Sequence, residues 1–356
     1  MKNIFIISDA HPKKWSGVEK VSDEIGKKLA YKYNVFHLFM DSQNKKNTNN
    51  NISYISLGVP NFKWINTVVF LFKLYFFLKK QNVDLIIDST WSSFLSSIFW
   101  KYKIVGICHG VSKAVLHHTR FKNNIEKLKY YLFFGFNSFL TKYVFKRAFS
   151  VVTLSKYLKK DLIKYYWIQE KKIKIIYNWF DYFNYNIKNN NKSALNVLFI
   201  SNDHIRKGID ILENVAKHFI WKNIVFYIAG SFYNSTYNNV KYLGKLQRNN
   251  LYDLMKKSDI IFLPSYYEWQ PLVILEAMNF WCIPVISRNC HMDMIEETTL
   301  QKFIIDNDYK KYIKIFEELL EYKEINELKN ISKSCIKTFS WENQSQKYLE
   351  YINTIL

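Results

Sequence analysis

Glycine and proline are scarce in this chain, nine and five among 356 residues. The glycines stand at 17, 26, 58, 106, 110, 135, 208, 230 and 244, and no spacing among them gives G-x-G-x-x-G or G-x-x-x-x-G-K-[ST]. A dinucleotide fingerprint and a Walker loop are therefore absent, and any phosphate must be held by other means. The four cysteines, at 108, 282, 290 and 335, form no C-x-x-C pair and have no histidine at zinc-finger spacing. Neither a metal knuckle nor a disulfide framework is indicated, and a reducing, cytoplasmic compartment is expected. The most apolar stretch, 67–78, is interrupted by Lys73 and falls short of the ~20 residues of a spanning helix. The opening run meets Asp9 too soon for a secretory leader and reads as a first strand. No transmembrane segment is expected.

Acidic residues are few, and unevenly so. The formal net charge is +21, but residues 1–180 hold 30 basic and 10 acidic side chains whereas 181–356 hold 21 and 20. Nearly all the excess positive charge belongs to the first half. Such asymmetry points to a polyanionic partner for that half, an anionic membrane surface or nucleic acid. Codon bias toward Lys and Asn is the alternative source, supported by the Asn-rich tracts at 47–51 and 189–191, although such bias acts on both halves alike.

Short apolar runs alternate with longer helical patterns. Strands are expected at 3–7, 34–40, 53–57, 84–88, 103–108 and 150–154, with helices near 18–31, 63–80, 91–101, 121–147 and 155–166. The rhythm stops at 181–194, a polar stretch without apolar period, and restarts with strands near 195–200, 223–229, 259–263 and 284–287 and helices near 207–219, 246–257, 271–281 and 308–322. This predicts two doubly wound α/β domains, 1–180 and 195–340, joined by a linker at 181–194 and facing across a cleft lined by strand carboxyl ends. The last segment, 341–356, is expected as a helix that can return to the first domain.

The densest chemical signal lies between 259 and 286. A buried strand ends at Pro264-Ser265, a loop carries Glu268, and a helix starts near Pro271, where proline suits the first turn. The N–H groups of Leu272 and Val273 would then form, with the helix dipole, an anion site that needs no glycine loop. Glu268 and Glu276 flank that site and could hold hydroxyls. On spacing alone the ordinary reading prevails, with Glu268 a solvated loop carboxylate and Glu276 capping or pairing on a helix face. A second segment, 196–210, runs a strand into Arg206-Lys207-Gly208, adjacent cations that could neutralise a diphosphate. Exposed Arg-Lys pairs are also common on ordinary surfaces.

Taken in order, Gly17-Val18-Glu19, Asn178-Trp179-Phe180-Asp181, Arg206-Lys207-Gly208, Ala229-Gly230, Tyr242-Leu243-Gly244 and Glu268-x7-Glu276 resemble the retaining, nucleotide-sugar-dependent glycosyltransferases of family four. The Ile-Arg-Lys-Gly form of the basic pair is most similar to the lipopolysaccharide-core branch. The resemblance covers nearly the whole chain and is strongest over 195–300. It implies the GT-B fold of two Rossmann-like domains, a basic acceptor domain first and a donor domain second.

The resemblance also implies roles. Arg206 and Lys207 would bind the donor diphosphate, aided by Leu272 and Val273. Glu276 would accept from the ribose, and Glu268 would hold the transferred sugar. Gly17 would approach the donor phosphate from the first domain, Gly230 would belong to the donor loop, and His109 would stand near the reactive carbon. Many members carry an Arg where this chain has Asn202, and a Gly-Gly where it has Ser16-Gly17. No resident cofactor or metal is implied. The substrate would be a nucleotide diphosphate sugar, with UDP slightly favoured. The acceptor would be a glycan or lipid-linked sugar of cell-surface polysaccharide, met by a peripheral enzyme at the inner face of the cytoplasmic membrane. A basic nucleic-acid-binding protein and a GT-B sugar epimerase or phosphorylase are the alternatives.

Overall fold

The computed structural model describes residues 1–9, 17–59, 65–99, 102–114, 124–183, 194–230, 237–322 and 324–356. They form two compact units. One holds Met1–Leu116, Lys127–Asn178 and Glu342–Leu356, and the other holds His117–Glu126 and Trp179–Trp341. Most of the polar stretch read as a linker, 184–193, lies outside the described residues.

The first unit is built on an eight-stranded sheet. Its strands are β1 (Asn3–Ile7), β2 (Asn34–Phe39), β3 (Asn44–Asn49), β4 (Ile52–Leu57), β5 (Leu85–Asp88), β6 (Ile104–Cys108), β7 (Ser150–Thr153) and β8 (Ile173–Ile175). Their order is β3-β4-β2-β1-β5-β6-β7-β8, parallel except for β3 against β4. Every residue of β5, β6 and β7 is buried, as expected of parallel strands covered on both faces, which read as unbroken apolar runs. Strand order reverses beside β1, whose neighbours are β2 and β5.

β3 and β8 are unforeseen in this sheet, as are the strands Val240–Gly244 and Ile304–Ile305 of the other; β3 is the plainest case. Its residues, Asn-Lys-Lys-Asn-Thr-Asn, are all exposed, so no apolar pattern announces it. The tract that resembled codon bias has a backbone reason, because Asn50 and Asn51 take φ of 49° and 62° at the β3–β4 turn. Asparagine tolerates that left-handed region. Lysines along this edge also discourage pairing with another chain.

The second unit holds a six-stranded, all-parallel sheet: β9 (Leu195–Ser201), β10 (Ile224–Gly230), β11 (Val240–Gly244), β12 (Ile260–Leu263), β13 (Ile283–Ser287) and β14 (Ile304–Ile305), in the order β11-β10-β9-β12-β13-β14. The helix expected at 207–219 is two helices, His204–Lys207 and Ile209–His218, divided at Gly208. Gly208 has φ +77°, and a Cβ there would lie 2.1 Å from the Pro264 carbonyl oxygen. Only glycine lets the chain turn this close to the end of β12.

The final helix, Trp341–Ile355, packs with the first unit although it follows the second in sequence. Tyr33 donates to Asn353 Oδ1 at 2.6 Å, Lys103 Nζ to the Ile355 carbonyl at 2.6 Å, and Lys174 lies over the Tyr351 ring. These partners stand at the amino ends of the strands. Where the chain leaves the second unit, Phe180 bridges Ser340 and Trp179 lies 4.8 Å from Trp341.

Candidate functional site

Within the second unit the carboxyl ends of β9 and β12, which are adjacent and parallel, bring together residues some sixty positions apart. The loop after β9 is ordered by Asp203. One of its oxygens accepts from the Arg206 amide, capping the helix His204–Lys207, and the other accepts from Arg206 Nε at 3.1 Å. This cap and the turn at Gly208 fix Arg206 and Lys207 where the loop after β12 passes. Tyr266 N donates to the Arg206 carbonyl at 2.9 Å, and Arg206 donates to the Tyr267 carbonyl at 3.1 Å.

Glu268 is the centre of the cluster. Its Oε1 is 2.6 Å from Arg206 Nη1 and 2.6 Å from Lys207 Nζ, and the residue is 5% exposed. Two cations on one buried carboxylate form short, charge-assisted contacts. Burial pulls the Arg206 guanidinium down, but the carboxylates of Glu268 and Asp203 outweigh it and raise the pKa above its ordinary value. The Glu268 backbone is pinned on both sides, its N–H donating to Asn289 O at 2.8 Å and its carbonyl 2.6 Å from His291 Nδ1. His291 is buried, has φ +54°, and packs edge-on against Tyr267. Asn289 and His291 were not foreseen, since one acts through its backbone carbonyl and the other through its imidazole on a backbone carbonyl, and no motif spacing marks them.

The helix Leu272–Asn279 starts beside this cluster. Pro271 occupies its N-cap and supplies no side-chain cap, so the first-turn N–H groups at Leu272 and Val273 keep the donor character of an uncapped helix start. Glu276 lies farther along this helix and joins a different group. It is 3.9 Å from Arg248 Nη2, which contacts Asp181 at 2.8 Å. Beside it the Tyr252 hydroxyl is pushed up to about 12 by burial and by the Glu276 charge. Arg248 is thus a further cation of this unit, beside Arg206 and Lys207, that the motif reading missed.

Gly230 ends β10 with φ +134°, and a Cβ would fall 1.7 Å from the Ser201 carbonyl oxygen. The structure therefore gives it a backbone reason within the sheet. The residue after it, Ser231, lies outside the described residues.

Gly17 and His109 belong to the first unit. Gly17 opens the helix Gly17–Leu29, and Ser16 lies outside the described residues. His109 follows β6. Burial lowers its imidazole pKa to about 4, and its Nε2 is buried with no partner among the described residues. It is uncharged at neutral pH. The adjoining Cys108 thiol is pushed up to about 12 by burial, which removes it as a nucleophile.

Two α/β units, one on a sheet parallel but for its edge strand and one on an all-parallel sheet, have the architecture of the two-domain GT-B class. Comparison with known proteins places the chain within it. Residues 15–182 match the family described as Glycosyltransferase Family 4, and residues 183–337 match Glycosyl transferases group 1. The chain belongs to these family-4-like glycosyltransferases.

Among solved structures it is similar to sucrose-phosphate synthase from Thermosynechococcus elongatus, at 15% identity over 100% of this chain and 99% of that one, with a TM-score of 0.78. WaaG, a glycosyltransferase involved in lipopolysaccharide biosynthesis, matches at 14% identity over 98% and 99%, TM-score 0.72. Anabaena Alr3699/HepE, solved with UDP and glucose, matches at 16% over 99% and 100%, TM-score 0.73. At these identities the likeness is one of fold. A curated relative from Methanocaldococcus jannaschii, described as an uncharacterized glycosyltransferase, is 28% identical over 36% of this chain and 39% of its own length.

Proposed function

We propose that this chain is a retaining, metal-independent hexosyltransferase that moves a sugar from a nucleotide diphosphate donor, UDP-linked by preference, to a glycan or lipid-linked acceptor of lipopolysaccharide or capsule type. The observation that carries the reading is the Arg206–Glu268–Lys207 cluster beside the uncapped start of the helix Leu272–Asn279. The barrier lies in breaking the anomeric C–O bond, so preorganised donors aimed at the departing diphosphate are the largest catalytic term. Lys207, Arg206 and the Leu272 and Val273 amides would supply them. Glu268, already anchored by both cations, would present its remaining oxygen to sugar hydroxyls. Glu276, held by Arg248, would accept from the ribose. UDP bound to Alr3699/HepE in the similar fold supports the choice of nucleotide.

A thermal-shift series tests this reading. UDP-glucose at about 100 times its Kd should add about 2.7 kcal/mol to the stability of the protein, and the shift should persist in EDTA. No shift with any nucleotide sugar would overturn the donor assignment. A shift abolished by EDTA and restored by Mn²⁺ would overturn metal independence.

The acceptor side is read as a surface held against an anionic bilayer at the cytoplasmic face. No helix among the described residues is long and apolar enough to cross a membrane. The helix Asn124–Arg147 instead exposes Leu128, Leu132, Phe136 and Phe139, each more than half accessible. Spacings of four, four and three residues put them on one face. Lys127, Lys129, Lys146 and Arg147 are exposed on the same helix. On the helix Ile65–Lys79, Val68, Phe72 and Phe76 repeat the arrangement. The aromatic-basic run at 62–64 lies outside the described residues. Apolar faces bordered by Lys suit the interface of an anionic membrane.

The full chain should co-sediment with vesicles containing phosphatidylglycerol and lose most of that binding in a Leu132→Glu, Phe136→Glu variant. Part of the wild-type binding should survive 0.5 M salt, which screens exposed charge. Equal binding by the variant would show that these helices are not the contact.

A further inference from the structure

Three carboxylates meet in the first unit where the order of its strands reverses, between β1 and β5. Asp9 stands two residues past β1, Asp88 ends β5, and Glu19 lies in the first turn of the helix Gly17–Leu29. A strand-order reversal in a doubly wound sheet is where such folds bind ligands. Asp88 is fully buried and locally satisfied: Oδ1 accepts from Thr90 N at 2.8 Å and Thr90 Oγ1 at 3.0 Å, and Oδ2 from Ser93 N at 2.9 Å. Asp9 accepts from Ser92 Oγ at 3.2 Å. Glu19 differs. It is 7% exposed, and its Oε2 is buried with no hydrogen-bond partner among the described residues.

Among the described residues none of the three is ion-paired. Among the described residues, the groups acting on Asp9 are the carboxylates of Asp88 and Glu19 and the hydroxyls of Ser92 and Thr90. On the neighbouring strand, His37 is occupied with Ser8 at 2.9 Å. Grouping buried like charges without a counter-charge is costly. The pattern is the complement of a ligand that is cationic and rich in hydroxyls. It is not a metal cage, for no group of His, Cys, Asp and Glu among the described residues is arranged to hold an ion.

We propose that the carboxyl edge between β1 and β5 binds an amine-bearing polyol, Asp9 and Glu19 holding its ammonium group and Asp88 supplying field and order. The identity of that polyol as an amino sugar of the acceptor rests on the reading of the first unit as the acceptor side. The binding site itself does not. Asp9 is raised to about 7, first by burial, then by Asp88 and Glu19. It carries a proton in the empty site at mildly acid pH and must release it to pair with an ammonium. Affinity therefore rises with pH.

The test uses the full chain with glucamine, an open-chain amino polyol, and sorbitol, its hydroxyl counterpart, followed by calorimetry or NMR titration. Glucamine should bind at least roughly tenfold more tightly than sorbitol, since charge-assisted hydrogen bonds exceed neutral ones. Its Kd should fall about tenfold between pH 6 and pH 8, following ionisation of a group near 7. Glu19→Gln should weaken glucamine about tenfold without lowering the melting temperature, because the oxygen it alters has no partner to lose. Asp9→Asn should flatten the pH dependence.

Equal affinity for the two polyols, indifference to both substitutions, or a melting temperature that drops in Glu19→Gln with binding unchanged would overturn the proposal. UDP-glucose shifts measured on the same samples separate the two readings. Their absence alongside intact glucamine binding would support the amine site and overturn the donor assignment alone.

Discussion

Replacing Lys207 with alanine is expected to leave the second unit folded and, on the proposed donor reading, to lower turnover, read as release of nucleoside diphosphate from the donor, by roughly 10²–10³, the usual effect of removing one preorganised transition-state donor. The fold survives because Glu268 keeps Arg206 Nη1 at 2.6 Å and its backbone contacts to Asn289 and His291. The buried carboxylate is not orphaned. Circular dichroism and the melting temperature should match the parent protein while the rate falls. A variant that turns over at the parent rate would remove Lys207 from the diphosphate site. One that unfolds would show that both cations are needed to keep Glu268 buried.

Gly230→Ala should be the most damaging single-atom change for stability. The residue sits at φ +134°, and the added Cβ would lie 1.7 Å from the Ser201 carbonyl oxygen. The conformation alone costs a side chain about 1–3 kcal/mol. The collision also forces apart the ends of β9 and β10, so a total of about 3 kcal/mol or more follows. For a unit of this size that is a fall of roughly 6–12 °C in melting temperature. An unchanged melting temperature with weakened donor binding would mean that Gly230 serves the ligand, as the family resemblance implies, and that the sheet has room for the methyl group.

The buried parallel strands and the chemical cluster were readable in the chain for different reasons. β5, β6, β7, β12 and β13 are buried throughout, as parallel strands covered on both faces are, and the apolar run at the heart of each is visible without knowing the partner. Arg206, Lys207 and Glu268 were legible through the order of short motifs, and the adjacency of β9 and β12 accounts for their meeting. β3 was hidden because an exposed edge strand needs only backbone pairing, so Asn and Lys serve it. The break at Gly208 was hidden because its cause, the Pro264 carbonyl, lies fifty-six positions away. Arg248 stands twenty-eight positions before the glutamate it faces, beyond any local period. The convergence of Asp9, Glu19 and Asp88 belongs to the crossing of strands and has no signature in any single segment.

The discontinuity of the first unit has a consequence for synthesis. Its sheet is complete once Ile175 has been made, yet the helix that contacts Tyr33, Lys103 and Lys174 ends with the last residues of the chain. The second unit takes His117–Glu126 and Trp179–Trp341, so all of its own parts are made before that helix. The usual order, in which the amino-terminal domain is finished first, is therefore inverted. The first unit waits, one helix short, until residues 341–355 have been made. A message that stops before that helix yields a nascent chain whose second unit is whole and whose first unit is open to proteases and chaperones.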